Sequence, residues 1–172
     1  VSPQDPYNLT GVVYADAHKP PGFTNANGFT YVLGTDGQGK DLLSGIIYGL
    51  RISIEIALAA GLIAFLVGAS LGSIAAYIGG RTEALLMRIV DLQLSFPAIL
   101  LALVISAMLG KGKGQLIAAL VAAQYAYFAR TAHGAASAER GKDYVDAALS
   151  TPLPAGRVVF RHILPNSLPP LI

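Results

Sequence analysis

Apolar and polar positions along this chain fall into long blocks, with no strand-like alternation. Residues 1–33 are polar and turn-rich, and Pro20-Pro21 and Asn27-Gly28 break any helix there. Gly34, Gly37 and Gly39 then lead into Leu42, Leu43, Ile46, Ile47 and Leu50 at helical spacing, which predicts an interfacial helix up to residue 51. Residues 52–78 carry one charge, Glu55, and as a helix would extend roughly 40 Å, against a hydrocarbon core of about 30 Å. They are the first expected span, with Gly61, Gly68, Gly72, Ala60, Ala64, Ala69 and Ala75 offering small faces for helix packing. A turn at 79–83 leads to a second expected span, 84–109, with Pro97 inside it. A turn at 110–114 leads to a third, 115–132, whose Arg130 would snorkel to the interface.

Residues 133–162 change character. Glu139, Arg140, Lys142, Asp143, Asp146, Arg157, Arg161 and His162 crowd together, predicting a soluble loop of two short helices separated by Pro152 and Pro154. A fourth apolar segment starts at Ile163. The chain opens on Val1 and closes within that segment, so it reads as the middle of a longer protein. The expected class is an all-α, polytopic transmembrane bundle. Residues 1–51 would be an extracytoplasmic segment with its interfacial helix, and 52–172 the membrane domain.

Composition agrees with lipid as the solvent. Of 172 residues, 53% are hydrophobic and 13% charged, against about 25% charged in soluble domains. A net charge of +2 with no Lys/Arg run gives no footprint for nucleic acid. The absence of cysteine excludes disulfides and thiolate chemistry in this stretch. If the 133–162 loop is cytoplasmic, seven Lys/Arg lie inside and five outside, a small bias that Lys111 and Lys113 oppose.

Several patterns resemble chemistry without supporting it. Gly34 to Lys40 fits GxxxxGK, but Asp41 stands where a P-loop needs Ser or Thr for magnesium, and Asp36 would repel phosphate. A glycine-rich turn capped by Asp36 or Asp41 is the simpler reading, and Asn8-Leu9-Thr10 is a glycosylation sequon by pattern only. His18, His133 and His162 lack metal-ligand spacing. Arg88 and Asp91 share a helix face, so they are expected to pair, either as a structural ion pair or as a gate on a translocation path. Pro97 frees the carbonyl of Gln93 and is expected to kink the span. Gln124, Tyr125, Tyr127 and Phe128 could touch a substrate or form an aromatic belt.

The loop is the strongest constellation. Ala147 and Ala148 give its first helix a flat patch beside Asp146, and its second helix sets Val158, Val159 and Ile163 against Arg157 and Arg161. Such a loop suits docking to another protein, whereas Glu139, Asp143 and Asp146 read as a solvated face rather than acid/base groups.

These residues closely resemble the cytoplasmic "EAA" loop of ABC-importer permeases: an acidic residue, Ala-Ala, Gly six after the acid, and Leu-Pro eighteen and nineteen after it. Asp146, Ala147, Ala148, Leu164 and Pro165 fit that register. Residues 161–166, RHILPN, are similar to the peptide and nickel subfamily, as are 33–44 and 86–98. Two positions depart. Asp146 replaces the usual Glu, and Pro152 holds the Gly position, where it cannot adopt positive φ; Thr151 as N-cap with Pro152 opening the second helix would rebuild the turn.

The resemblance implies a type I permease of about six spans, in the bacterial inner membrane and multi-pass, of which this chain would hold the second to fourth. It implies that the chain is not itself an enzyme and holds no cofactor, with ATP and magnesium on partners. Those partners would be a second homologous permease subunit, two cytoplasmic ATP-binding subunits and an extracytoplasmic substrate-binding protein. Tyr144, Asp146, Ala147, Ala148, Pro152, Arg157, Leu164 and Pro165 would make the ATPase-coupling loop, and Arg88, Asp91 and Pro97 a path or gate. Import of di- or oligopeptides by alternating access is the expected function. Nickel or another small solute, or a membrane assembly role without transport, are the alternatives.

Overall fold

The computed structural model describes residues 14–150 and 153–169. The sequon at 8–10 and the Thr151-Pro152 turn lie outside the described residues. The chain divides into two compact units, 1–55 and 56–172.

In the first unit a two-residue antiparallel pair, β1 (Phe23–Thr24) and β2 (Thr30–Tyr31), is closed by a turn that Asn25 organises. The Asn25 side chain accepts from the backbone N–H groups of Asn27 and Phe29, at 3.0 and 2.9 Å, an Asx-type closure. Tyr31 is buried, lies edge-on to Phe29 and donates to Asp16 Oδ2 at 3.2 Å.

Both carboxylates of the glycine-rich turn are used. Asp36 Oδ1 accepts from the N–H groups of Gln38 and Lys40, and Asp41 Oδ2 accepts from Ser44 N–H at 2.9 Å. The second bond is an N-cap on helix α1 (Leu42–Ile78). Gly34 and Gly39 carry φ near +80°, and a Cβ on Gly34 would lie 2.5 Å from the Lys19 carbonyl. The glycines therefore serve a tight backbone turn.

The expected interfacial helix and first span are one helix, because nothing between Leu42 and Ile78 interrupts the i→i+4 ladder. It ends where Gly79 and Gly80 turn to positive φ, and α2 (Gly80–Leu94) starts at once.

The segment 84–109 is not one helix. Helices α2 and α3 (Ala98–Leu109) meet at 91°. Pro97 has no N–H, and the Gln93 carbonyl it would leave open accepts instead from Phe96 N–H at 3.1 Å, tightening the last turn. A proline kink was expected; this is a full corner.

Gly110 and Gly112, both at positive φ, lead into α4 (Lys113–Arg140), which contains the expected 115–132 segment and extends eight residues past it. Among the described residues, α1 alone is long and apolar enough by itself to cross a membrane, and the α2–α3 pair qualifies only if taken together.

In the second unit, small residues set how close the helices come. Ala60, Ala64, Gly68, Gly72 and Ala76 recur every fourth position on α1 and are all buried. A Cβ on Gly68 would lie 2.3 Å from the Tyr125 carbonyl, and one on Gly72 2.2 Å from that of Ala129. Ala119, Ala123, Ala126, Ala129, Ala132 and Ala136 of α4 are also buried. Backbones can touch there because no side chain intervenes, the device that membrane helices use in place of a hydrophobic drive. Met87 and Val90 of α2 complete this core with Ala75, Ala126 and Ala129.

Candidate functional site

The loop after α4 folds into α5 (Asp143–Leu149) and a second helical stretch. That stretch consists of α6 (Ala155–Arg157), a π-helical run Val158–Ile163 and α7 (Leu164–Asn166). It opens after Pro154, which caps α6; the expected Thr151 cap and Pro152 lie outside the described residues. Pro154 suits that place because its fixed φ of −64° is already helical and a first-turn N–H is not needed.

The π run is a feature the sequence reading missed. Within it the Leu164 N–H reaches back five residues to the Val159 carbonyl. Pro165 follows directly, and its ring would collide with the Arg161 carbonyl in a tight α-turn. A wider π turn relieves that clash. The signal for it was a proline two residues after an otherwise regular amphipathic segment.

One face of the loop is anchored. Val145, Val158 and Ile163 are buried with Ala76 of α1 and Ala136 of α4, and Tyr77 and Leu153 pack against them. The other face is open: Ala147, Arg157, Arg161 and Pro165 are exposed, Phe160 is 49% exposed and Tyr144 38%. Ala148 is buried and Leu164 half-buried, so the Ala-Ala pair divides between the two faces. Asp146 lies in the middle of α5. Phe160 was not singled out from sequence: it follows Val158 and Val159, which turn inward, and itself faces out.

A small polar network holds the start of α5. Glu139 accepts from Lys142 Nζ and from the Tyr144 hydroxyl, both at 2.6 Å. Lys142, then Tyr144, hold the Glu139 carboxyl below its ordinary range. Burial, then the Glu139 bond and charge, push the Tyr144 phenol up. Glu139 is thus a strut between α4 and α5 rather than part of an open acidic face.

The expected Arg88–Asp91 pair is not formed. Asp91 reaches across to Arg130 Nη1 of α4 at 3.4 Å, because the antiparallel approach of α2 and α4 puts a cation nearer than the one on its own helix. Glu83 and His133 make a second rung, at 2.6 Å, and the Gln93 side chain donates to the Ala122 carbonyl in a third. Arg88 instead lines an open cavity of about 470 Å³ with Arg81, Thr82, Ala84 and Leu85. Pro97 sits at the corner, lining an apolar cavity of about 250 Å³ with Phe96 and Leu100. Tyr127 is exposed, and Phe128 stacks edge-on against Phe65 of α1.

Comparison with known proteins places this arrangement. Curated relatives include the dipeptide transport system permease protein of Alkalihalophilus pseudofirmus, 35% identical over 95% of this chain and 54% of that protein. The di/tripeptide transport system permease protein of Pseudomonas aeruginosa is 35% identical over 89% of this chain and 50% of that one. The glutathione transport system permease protein of Pectobacterium atrosepticum is 33% identical over 81% and 46%. The chain spans about half the length of the curated relatives it matches. The profile described as binding-protein-dependent transport system inner membrane component matches residues 64–172, which hold the loop, α4 and the end of α1 that the loop packs on. This chain therefore belongs to the family of inner membrane components of binding-protein-dependent transport systems.

Proposed function

We propose that this chain is the core of a permease subunit that imports di- or oligopeptides across the bacterial inner membrane, driven by ATP hydrolysed on partner subunits. The carrying observation is the two-faced loop. Val145, Val158 and Ile163 fasten it to the ends of α1 and α4, while Tyr144, Ala147, Arg157, Phe160 and Arg161 face outward. A displacement of the outer face would therefore be transmitted directly to two long helices. The peptide names of the relatives support the substrate class.

In this reading the chain crosses the membrane several times, through residues 52–78 of α1, the bent α2–α3 pair and residues 115–132 of α4, with 133–162 in the cytoplasm. Residues 52–172 form the transmembrane domain and 1–51 the extracytoplasmic part. The loop residues Tyr144, Asp146, Ala147, Pro152, Arg157 and Pro165 meet a cytoplasmic ATP-binding subunit, while Ala148, which is buried, and Leu164, which is half-buried, support the loop from its inner side. ATP and magnesium stay on two such subunits, a second homologous permease completes the path, and an extracytoplasmic binding protein delivers substrate. Asp91, now paired to Arg130, and the Pro97 corner are the gate elements; Arg88 lies beside them at the α2 cavity. Alternating access follows if ATPase closure moves the loop and tilts α1 and α4.

The test uses the absence of cysteine from this chain. A single cysteine at Ala147, in the full-length protein cleared of other cysteines, should cross-link to the co-expressed ATP-binding subunit, with a yield that changes on adding ATP. Labelling of that cysteine by an impermeant reagent from outside intact cells, with no cross-link, overturns the proposal.

A further inference from the structure

We infer that the outer face of α2 is a binding site for an anionic phospholipid, its phosphate held between Arg81 and Arg88. The two arginines stand seven positions apart, two turns along one face of the helix, and line the same cavity of about 470 Å³ with Thr82, Ala84 and Leu85. Among the described residues neither guanidinium has a carboxylate or carbonyl partner. The other charged groups of this region are engaged: Asp91 with Arg130, Glu83 with His133, and Arg140 with the Ala76 carbonyl. Two guanidinium groups on an open cavity present paired donors suited to a phosphate diester.

The apolar half of the site lies on the same helix. Leu85, Ile89 and Leu92 are 63%, 51% and 62% exposed and follow the arginines at intervals of three and four, so they form one stripe. From Arg81 to Leu92 the helix rises about 16 Å, roughly half the thickness of a hydrocarbon core. Arg81 opens this stripe and Arg88 stands within it, between Leu85 and Ile89, so both guanidinium groups lie alongside apolar side chains, as a phosphate headgroup with its acyl chains requires. A soluble acidic partner would use the arginines but leave three leucine-type side chains in water. Membership of an inner-membrane family puts the lipid at hand.

The test is native mass spectrometry of the full-length protein, released from mixed micelles containing phosphatidylglycerol and phosphatidylcholine. Wild type should retain phosphatidylglycerol in preference. Either single substitution, Arg81→Gln or Arg88→Gln, should weaken retention about fivefold, the contribution of one Lys or Arg at an anionic surface, and the double variant about twenty-fivefold. The Arg81→Lys/Arg88→Lys variant should recover most of the preference, which shows that the fold survives. Arg161→Gln, an exposed arginine of the loop, should leave phosphatidylglycerol retention at the wild-type level. Equal retention by the double glutamine variant overturns the site, as does an equal loss in Arg161→Gln. Displacement of the lipid by inorganic phosphate at matched concentration overturns the lipid assignment. Binding of the purified ATP-binding subunit to wild type but not to the double variant, with lipid retention equal in both, would assign the arginines to a protein partner and likewise overturn it. None of these lipid readouts depends on transport or on the Ala147 cross-link, so this inference and the transport reading fail separately.

Discussion

Arg140 Nη1 donates at 2.8 Å to the carbonyl of Ala76, joining the last residue of α4 to the last turn of α1 across sixty-four positions of sequence. The same guanidinium lies 2.8 Å from where a Cβ on Gly79 would stand, so the glycine leaves room for it. The cation also meets the carbonyl-rich C-terminus of α1, where positive charge is favoured. Replacing Arg140 with Gln should destabilise the helix pair by about 1.5–3 kcal/mol, the range for a charged hydrogen bond. Thermal unfolding in detergent reads this. In the transport reading the variant should also hydrolyse ATP with less substrate moved per ATP, since the joint lies beside the loop's buried face.

The α1–α4 contact makes a sharper packing prediction. Gly72→Ala would drive a methyl group against the Ala129 carbonyl and His133 backbone, and the helices must part. A loss of about 1–3 kcal/mol is expected from such overpacking. Gly61→Ala, on the same helix with nothing within 4 Å, should be neutral or stabilising by about 0.5–1 kcal/mol. A matched pair of melting curves decides it: equal behaviour of the two would refute the close approach.

At the other end of α1, Asp41 caps through Ser44 N–H. Asp41→Ala should cost about 0.5–2 kcal/mol, and Asp41→Asn much less, because the amide oxygen can accept the same bond. Amide hydrogen exchange over residues 42–46 should rise in the alanine variant and stay close to wild type in the asparagine one.

The Glu139 strut sets an acid limit on the loop. Its carboxyl pKa is lowered in the folded chain, first by Lys142 and then by Tyr144. The stabilisation is therefore complete above the unfolded carboxylate range and is lost as pH falls through the lowered folded value. Tyr144 works the other way. Its raised pKa keeps its contribution complete below the ordinary value of 10.0, and that contribution is lost as pH rises through the folded value. Exchange protection across 143–149 should hold between these limits and fall on acidification. Glu139→Gln should remove the acid step, and persistence of that step in the variant would refute the assignment.

The helical blocks, the turns between them and the loop were legible because each rests on local chemistry. Long apolar runs, consecutive glycines and prolines act within a few residues, and so Gly79-Gly80, Pro97 and Pro154 mark real boundaries. The inward set Val158, Val159 and Ile163 was legible for the same reason, since amphipathic spacing decides which side of a short helix is buried. The Arg88–Asp91 pair was misjudged because spacing along one helix says nothing about a cation arriving from another.

What the sequence determined by itself is therefore the helical class, the glycine-alanine faces and the register of the loop motif, all set by side chains near one another in the chain. Tertiary structure alone decided the rest. It turned a kink at Pro97 into a 91° corner, exchanged the partner of Asp91, and left Arg81 and Arg88 together on an open face. Those outcomes depend on how closely α1, α2 and α4 approach, and that distance is fixed by contacts between residues about forty to sixty positions apart, which no local pattern encodes.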